Sequence, residues 1–245
     1  MELLNNARGL SGNALKLIAC ATMLCDHIGV LLFPRVALLR VIGRLAFPIF
    51  AFMIAEGSRY TRNRLRHFLT ISIFATVIQL VYYFALHDTD MSILVTFSLS
   101  IPLIYAFDYA KRCVLSANRS LLLAVFSSVL FFAGVIAAWS VCRYVKVDYG
   151  FYGVMTPVIT SAFMLPKDAP EELRRFDTTP VHIACCGLAL LLLCGMGQGS
   201  QSYSLISLAL LLLYSGKRGK APLKYFFYIF YPTHLVVLWL ISKII

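Results

Sequence analysis

Charge is scarce in this chain. Only 13% of its 245 residues are Asp, Glu, Lys or Arg, while 60% are hydrophobic, and mean hydropathy is +0.81. A soluble domain of this length needs a far more charged surface, so an ordinary globular enzyme is excluded. Alternating strands of ~10 residues, the mark of a membrane barrel, are also missing. There is no short apolar leader with a cleavage site; the first apolar stretch is long and charged and reads as a retained helix. The seven cysteines are an odd number without ligand spacing, and suggest neither a disulfide framework nor a zinc site. No fixed-period repeat and no low-complexity tail interrupts the chain.

What is present is a series of apolar runs separated by short polar loops. They fall at about 14–33, 36–57, 67–86, 92–110, 120–142, 150–165, 180–197, 200–215 and 225–243. This pattern predicts an all-α, polytopic helical membrane protein with about nine transmembrane helices. Residues 1–245 form a single domain, the longest polar stretch being the loop 166–179. Under this threading, 15 basic residues fall on one side, in loops around 59–66, 111–119, 167–175 and 217–224 and at Arg8. Four fall on the other: Arg35, Arg143, Lys146 and Lys243. The positive-inside bias then places the N-terminus in the cytoplasm. It also explains the net charge of +11 without nucleic acid, since the cations cluster at span ends rather than in one patch.

The exceptions to this greasiness carry the information. The first span holds Lys16, Asp26 and His27; the second holds Arg40, Arg44 and Glu56. A charge at mid-membrane costs ~3 kcal/mol or more, so such residues face a protein interior or a watery cavity. Lys16 and His27 are eleven residues apart and share a helix face through Cys20 and Met23. The short turn at Pro34–Arg35 folds the two spans into a hairpin. Matching depths from that turn predicts ion pairs Asp26–Arg44 and Lys16–Glu56. Asp148, Asp88 or Asp90 is then available to Arg40, as is an anionic ligand. These pairs can simply lock the hairpin. His27, whose unperturbed pKa lies near neutrality, offers a general base instead.

The runs LKLIACATMLCDHIG (15–29), LRVIGRLAFPIFAFMIAEG (39–57) and TRNR (61–64) resemble the TraX family of membrane proteins. DYGFYGV (148–154) and FFYIFYPTHL (226–235) are similar to that family's downstream signatures and come in the same order. One departure is Ser92, where the family pattern leads us to expect Asn. The resemblance implies an acetyltransferase, because the family's namesake acetylates the N-terminus of a conjugative pilin subunit. A basic residue and a histidine with ten residues between them, as in Lys16 and His27, also resemble the acyltransferase-3 membrane family. Those proteins carry acyl groups from cytoplasmic acyl-CoA to outside acceptors through that histidine.

The expectation that follows is transfer of acetyl from cytoplasmic acetyl-CoA to an amine or hydroxyl, on an exported protein or a glycan, at the outer face of a bacterial inner membrane. His27, Asp26 and Arg44 are the candidate catalytic residues, with Arg44 steadying the thioester oxyanion. Lys16, Arg40, Glu56, Arg59, Arg62 and Arg64 are candidates for the acetyl-CoA side. Asp148, Tyr149 and His234 are candidates for the acceptor side; Pro232 can kink the last span around His234. His182 reads as interfacial. No metal is called for. A secondary transporter or flippase with a buried proton relay, and a non-enzymatic pilus-assembly subunit, remain the alternatives.

Overall fold

The computed structural model describes residues 9–86, 90–116, 120–195, 199–221 and 223–244. Arg8, Asp88 and Arg119, used in the sequence reading, lie outside them.

The chain runs through α1 (Gly12–Leu31), α2 (Ala37–Gly43), α3 (Ala46–Tyr60) and α4 (Arg64–Val81), which continues into a π turn at Tyr82–Leu86. There follow α5 (Ile93–Leu115), α6 (Leu121–Tyr144), α7 (Gly150–Thr160) and the single turn α8 (Glu171–Arg174). Then come α9 (Thr179–Cys194), a 3-10 segment Gly199–Ile206 leading into α10 (Ser207–Leu212), and α11 (Lys224–Ser242). Each apolar run of the sequence thus contains helix among the described residues. Among the described residues, five stretches are long and apolar enough to cross a bilayer: α1, α2–α3 together, α4 with its π turn, α5 and α6. α7, α9 and α10 are shorter; the 11 residues of α7 rise only about 16 Å.

The chemistry of each face explains the packing. α3 is the hub, with Phe47, Ile49, Ala51, Phe52 and Ala55 fully buried against α1, α5, α7 and α9–α10. α6 is the opposite case. Leu121, Leu122, Phe126, Val129 and Phe132 are more than half exposed. In water such a face would be a liability, whereas lipid satisfies it at no cost.

Two details fix the site. α2 and α3 form one span broken at Arg44–Leu45. Pro48 stands one turn further on and has no N–H for the Arg44 carbonyl, so the helix loosens there and restarts. The hairpin is tight because two glycines remove side chains from its seam. A Cβ at Gly43 would sit 2.3 Å from Asp26 Cβ, and one at Gly29 would sit 2.9 Å from Leu39 Cβ.

Both ends of the bundle are tied by backbone hydrogen bonds. At the basic end, Leu10 bridges Tyr214, and the Gly12 and Asn13 amides donate to the Lys217 and Arg218 carbonyls. This holds the loop 214–221 over the start of α1. At the far end, Met91 bridges Val147 and accepts from the Asp148 amide at 2.9 Å.

Candidate functional site

A cavity of about 720 Å³ enters the bundle at the basic end, between α1, α3, α4, α5 and α11. Its mouth is formed by Tyr60, Thr61, Asn63, Arg66 and Arg218. Its wall follows one face of α1, through Asn13, Lys16, Cys20 and Met23. That is the face the eleven-residue spacing assigned to Lys16 and His27. The inner end is closed by Phe97, Phe230 and Tyr231. Tyr231 stands edge-on to His27, with ring centroids 6.5 Å apart. The cavity therefore ends against the aromatic wall of the histidine site.

His27 is half-buried, and its Nδ1 lies 2.9 Å from Nε2 of His234. The two residues are 207 positions apart in sequence and meet because α11 packs on α1. His234 is 6% exposed; its Nδ1 contacts the Phe230 carbonyl at 2.8 Å, one turn earlier in its own helix. The Phe230 ring stacks on His234 at 4.8 Å.

The ion pairs differ from those expected. Asp26 takes Arg40, not Arg44: Arg40 Nη1 donates to Asp26 Oδ2 at 2.7 Å. One helical turn separates the two arginines, but Arg40 is inside α2 whereas Arg44 sits in the break before α3, which turns it elsewhere. Arg44 faces the Tyr149 hydroxyl and the Asp148 carboxylate, and its Nε is buried with no partner among the described residues. Asp26 Oδ1 is likewise buried and unpartnered. Lys16 does not pair with Glu56. Glu56 accepts instead from the Tyr214 hydroxyl at 3.3 Å, and Lys16 Nζ lies 5.8 Å over the Phe227 ring. Both residues line the cavity, but not as partners of each other. Asp90 is engaged by Lys146 rather than Arg40.

The group at the far end from the basic loops is held by strained backbone. Tyr149 has φ of +61°, in the left-handed region, at a cost of order 1–3 kcal/mol for a bulky residue. Three contacts offset it. Thr96 Oγ1 donates to the Asp148 carbonyl at 2.7 Å. Tyr149 stacks on Phe47 at 4.0 Å. Gly153 leaves room, since a Cβ there would lie 2.4 Å from Tyr149 Cβ. Asp148 keeps an accessible surface, yet protein atoms crowd it. Lost hydration pushes its carboxyl up to about 7, against the pull of Arg44 and with Asp26 adding to the rise.

Of the arginines assigned to the donor side, three are occupied, Arg40 by Asp26 as described and two more by other carboxylates. Arg59 makes a two-pronged bond to Asp177, at 2.6 and 2.8 Å, which pins α3 to the loop before α9. Arg64 is bonded to Asp108, which also accepts from Arg112 at 3.1 Å. Arg62 is exposed and does not line the cavity. The cations at the mouth are Arg66 and Arg218. Arg66 belongs to the same basic loop; Arg218 was hidden by its distance in sequence, since only the tie between loop 214–221 and α1 brings it there. His67, which lines the cavity and contacts the Tyr105 hydroxyl at 2.7 Å, gave no sequence signal either. His182, at the head of α9, is 2% exposed and lies 3.0 Å from Asp177. The cysteines are all free, with Cys20 and Cys186 buried. No cluster able to hold a metal ion occurs among the described residues.

Comparison with known proteins places these features in a lineage. Residues 11–242 match a family profile described as TraX protein. The chain is 27% identical over 253 residues to the probable fimbrial assembly protein FimC, serogroup H1, of Dichelobacter nodosus, covering 91% of this chain and 92% of that one. It is 36% identical over 66 residues to the uncharacterized protein RP591 of Rickettsia prowazekii (strain Madrid E), covering 27% of this chain and 25% of that one. No solved structure matches.

Proposed function

The chain belongs to the TraX family, and on that footing we propose that it is a transmembrane acetyltransferase. The observation that carries this reading is the cavity: it begins between cations at the basic end and stops at the aromatic wall beside His27. The basic end is the cytoplasmic one, by the distribution of its cations, and the membrane is the bacterial inner membrane.

The donor is acetyl-CoA. Arg66 and Arg218 at the mouth attract its phosphates, with Lys16 one step inside. The pantetheine arm lies along Lys16, Cys20 and Met23, and about 16 Å of helix rise separates Lys16 from His27. The thioester is thus brought to the aromatic wall beside His27, well inside the membrane and shielded from bulk water.

The acceptor comes from the opposite side, past Asp148 and Tyr149. His27 Nε2 removes a proton from its amine or hydroxyl as the new bond to the acetyl carbon forms. The carbon–sulfur bond breaks, and the same proton passes from His27 to the departing thiolate. Arg44 is the nearest fixed cation to the outer group and supplies charge for the oxyanion. The Dichelobacter relative is named a fimbrial assembly protein, which favours an exported protein with a free terminal amine.

The test is acetyl transfer from labelled acetyl-CoA by the purified protein in nanodiscs, to a peptide amine. His27→Ala is expected to abolish it while leaving insertion and thermal unfolding unchanged. Undiminished transfer by that variant overturns the base role.

A further inference from the structure

We propose that His234 is the positioning residue of this site, and that it fixes His27 in the tautomer with its proton on Nδ1 and its lone pair on Nε2. This inference rests on the acetyl-transfer reading for its function, but not for its geometry.

The geometry has one consistent polarity. A backbone carbonyl accepts and never donates. The Phe230 carbonyl is 2.8 Å from His234 Nδ1, so that nitrogen carries a hydrogen. A neutral imidazole has a single N–H, so His234 Nε2 holds a lone pair and accepts. The atom facing it at 2.9 Å is His27 Nδ1, which must therefore donate. With its one hydrogen spent there, His27 keeps its lone pair on Nε2. No hydrogen bond from a described residue engages that nitrogen. In free histidine the proton prefers Nε2, so the protein reverses the intrinsic preference and leaves Nε2 basic.

A carboxylate commonly does this orienting job. Here the neighbouring carboxylate is committed elsewhere: Asp26 is bonded to Arg40 and packed against Gly43. Aromatic rings hold the pair in place. Phe230 stacks on His234 with planes 17° apart, and Tyr231 stands edge-on to both imidazoles, at 5.5 and 6.5 Å. When Nε2 takes the acceptor's proton, His27 becomes an imidazolium whose Nδ1–H still points at a lone pair. The shared proton spreads the charge over two rings until Nε2 protonates the thiolate.

Two measurements test this. The first is long-range nitrogen–proton NMR of the full chain labelled with nitrogen-15 histidine in nanodiscs, with His27 assigned by difference against His27→Gln. The expected spectrum has a protonated Nδ1 and an unprotonated Nε2 for His27. The converse tautomer overturns the proposal whether or not the protein transfers acetyl. The second is steady-state kinetics. His234→Leu is expected to lower kcat about 100-fold, in the range of lost orienting groups, with KM for acetyl-CoA within about twofold. His234→Gln, whose Oε1 can accept from His27 Nδ1–H, is expected to recover much of the loss. Full kcat in His234→Leu, or an equal loss in both variants, overturns the positioning role. A wild-type protein that transfers no acetyl while showing the expected tautomer overturns the acetyltransferase reading and leaves the tautomer assignment standing.

Discussion

Asp26 and Arg40 are locked together across the first hairpin, with 2.7 Å between Oδ2 and Nη1, and the seam that allows it is glycine. Gly43 leaves the space into which Asp26 fits; a methyl group there would lie 2.3 Å from both Asp26 Cβ and Oδ1. Gly43→Ala is therefore expected to destabilise the protein by about 1–3 kcal/mol, because neither helix of a short hairpin can move aside freely. Arg40→Leu strands a carboxylate in a span and is expected to lower Tm more than Arg44→Leu does. Thermal unfolding in detergent checks both; equal effects of the two arginine changes contradict the pairing.

The donor mouth makes a second expectation. Arg66→Ala and Arg218→Ala should each raise KM for acetyl-CoA several-fold, more strongly at low salt, with kcat little changed. Arg62→Ala should do neither. Arg59→Ala should instead reduce stability, since Asp177 and the loop it holds lose their anchor. Kinetics over a range of salt separates these cases, and a KM effect at Arg62 as large as at Arg218 contradicts the assignment.

Much of this was legible in the sequence, for a definite reason. Charged residues in apolar helices cost so much that Lys16, Asp26, His27, Arg40, Arg44 and Glu56 had to matter. Helical periodicity then put Lys16 and His27 on one face, and the cavity follows that face. Partner choice was not legible. The Arg44 reversal depends on the helix break at Arg44–Leu45 that Pro48 brings about, and depth matching treats the span as a continuous rod. His234 was visible as an oddity in an apolar run, but its bond to His27 needs the packing of α11 on α1. Nor was the left-handed φ of Tyr149 visible, since that conformation is set by Thr96, Phe47 and Gly153 together. The lengths of α7, α9 and α10 are a further lesson: hydropathy finds apolar helices more surely than it finds full crossings.

Tyr149 offers a third test. Tyr149→Phe keeps the stack on Phe47 and removes only the hydroxyl that faces Arg44. It is expected to leave the unfolding midpoint nearly unchanged and to lower acetyl transfer. Tyr149→Gly relieves the positive φ but loses the stack, and is expected to destabilise. Should Tyr149→Phe transfer acetyl at the wild-type rate, the hydroxyl has no part in the reaction.

Asp148 sets a pH dependence. Its carboxyl is raised from an ordinary 3.8 to about 7, so the folded state favours the protonated form. Stability from this group is fully present below about pH 4 and is lost as pH rises through about 7. Asp148→Asn removes the titration, so the wild type should lose Tm relative to the variant as the pH is raised from about 5 to 8. Parallel Tm profiles for the two proteins contradict the shift.

The central claim is that the cavity delivers a thioester to His27. Its most direct measurement is transfer of the labelled acetyl group from acetyl-CoA to a peptide amine, by protein in nanodiscs, for the wild type and His27→Ala. The account predicts transfer by the wild type, with release of one free thiol per acetyl moved, and none by the variant. Transfer that survives loss of the imidazole, or a wild type that binds acetyl-CoA and moves nothing, contradicts it.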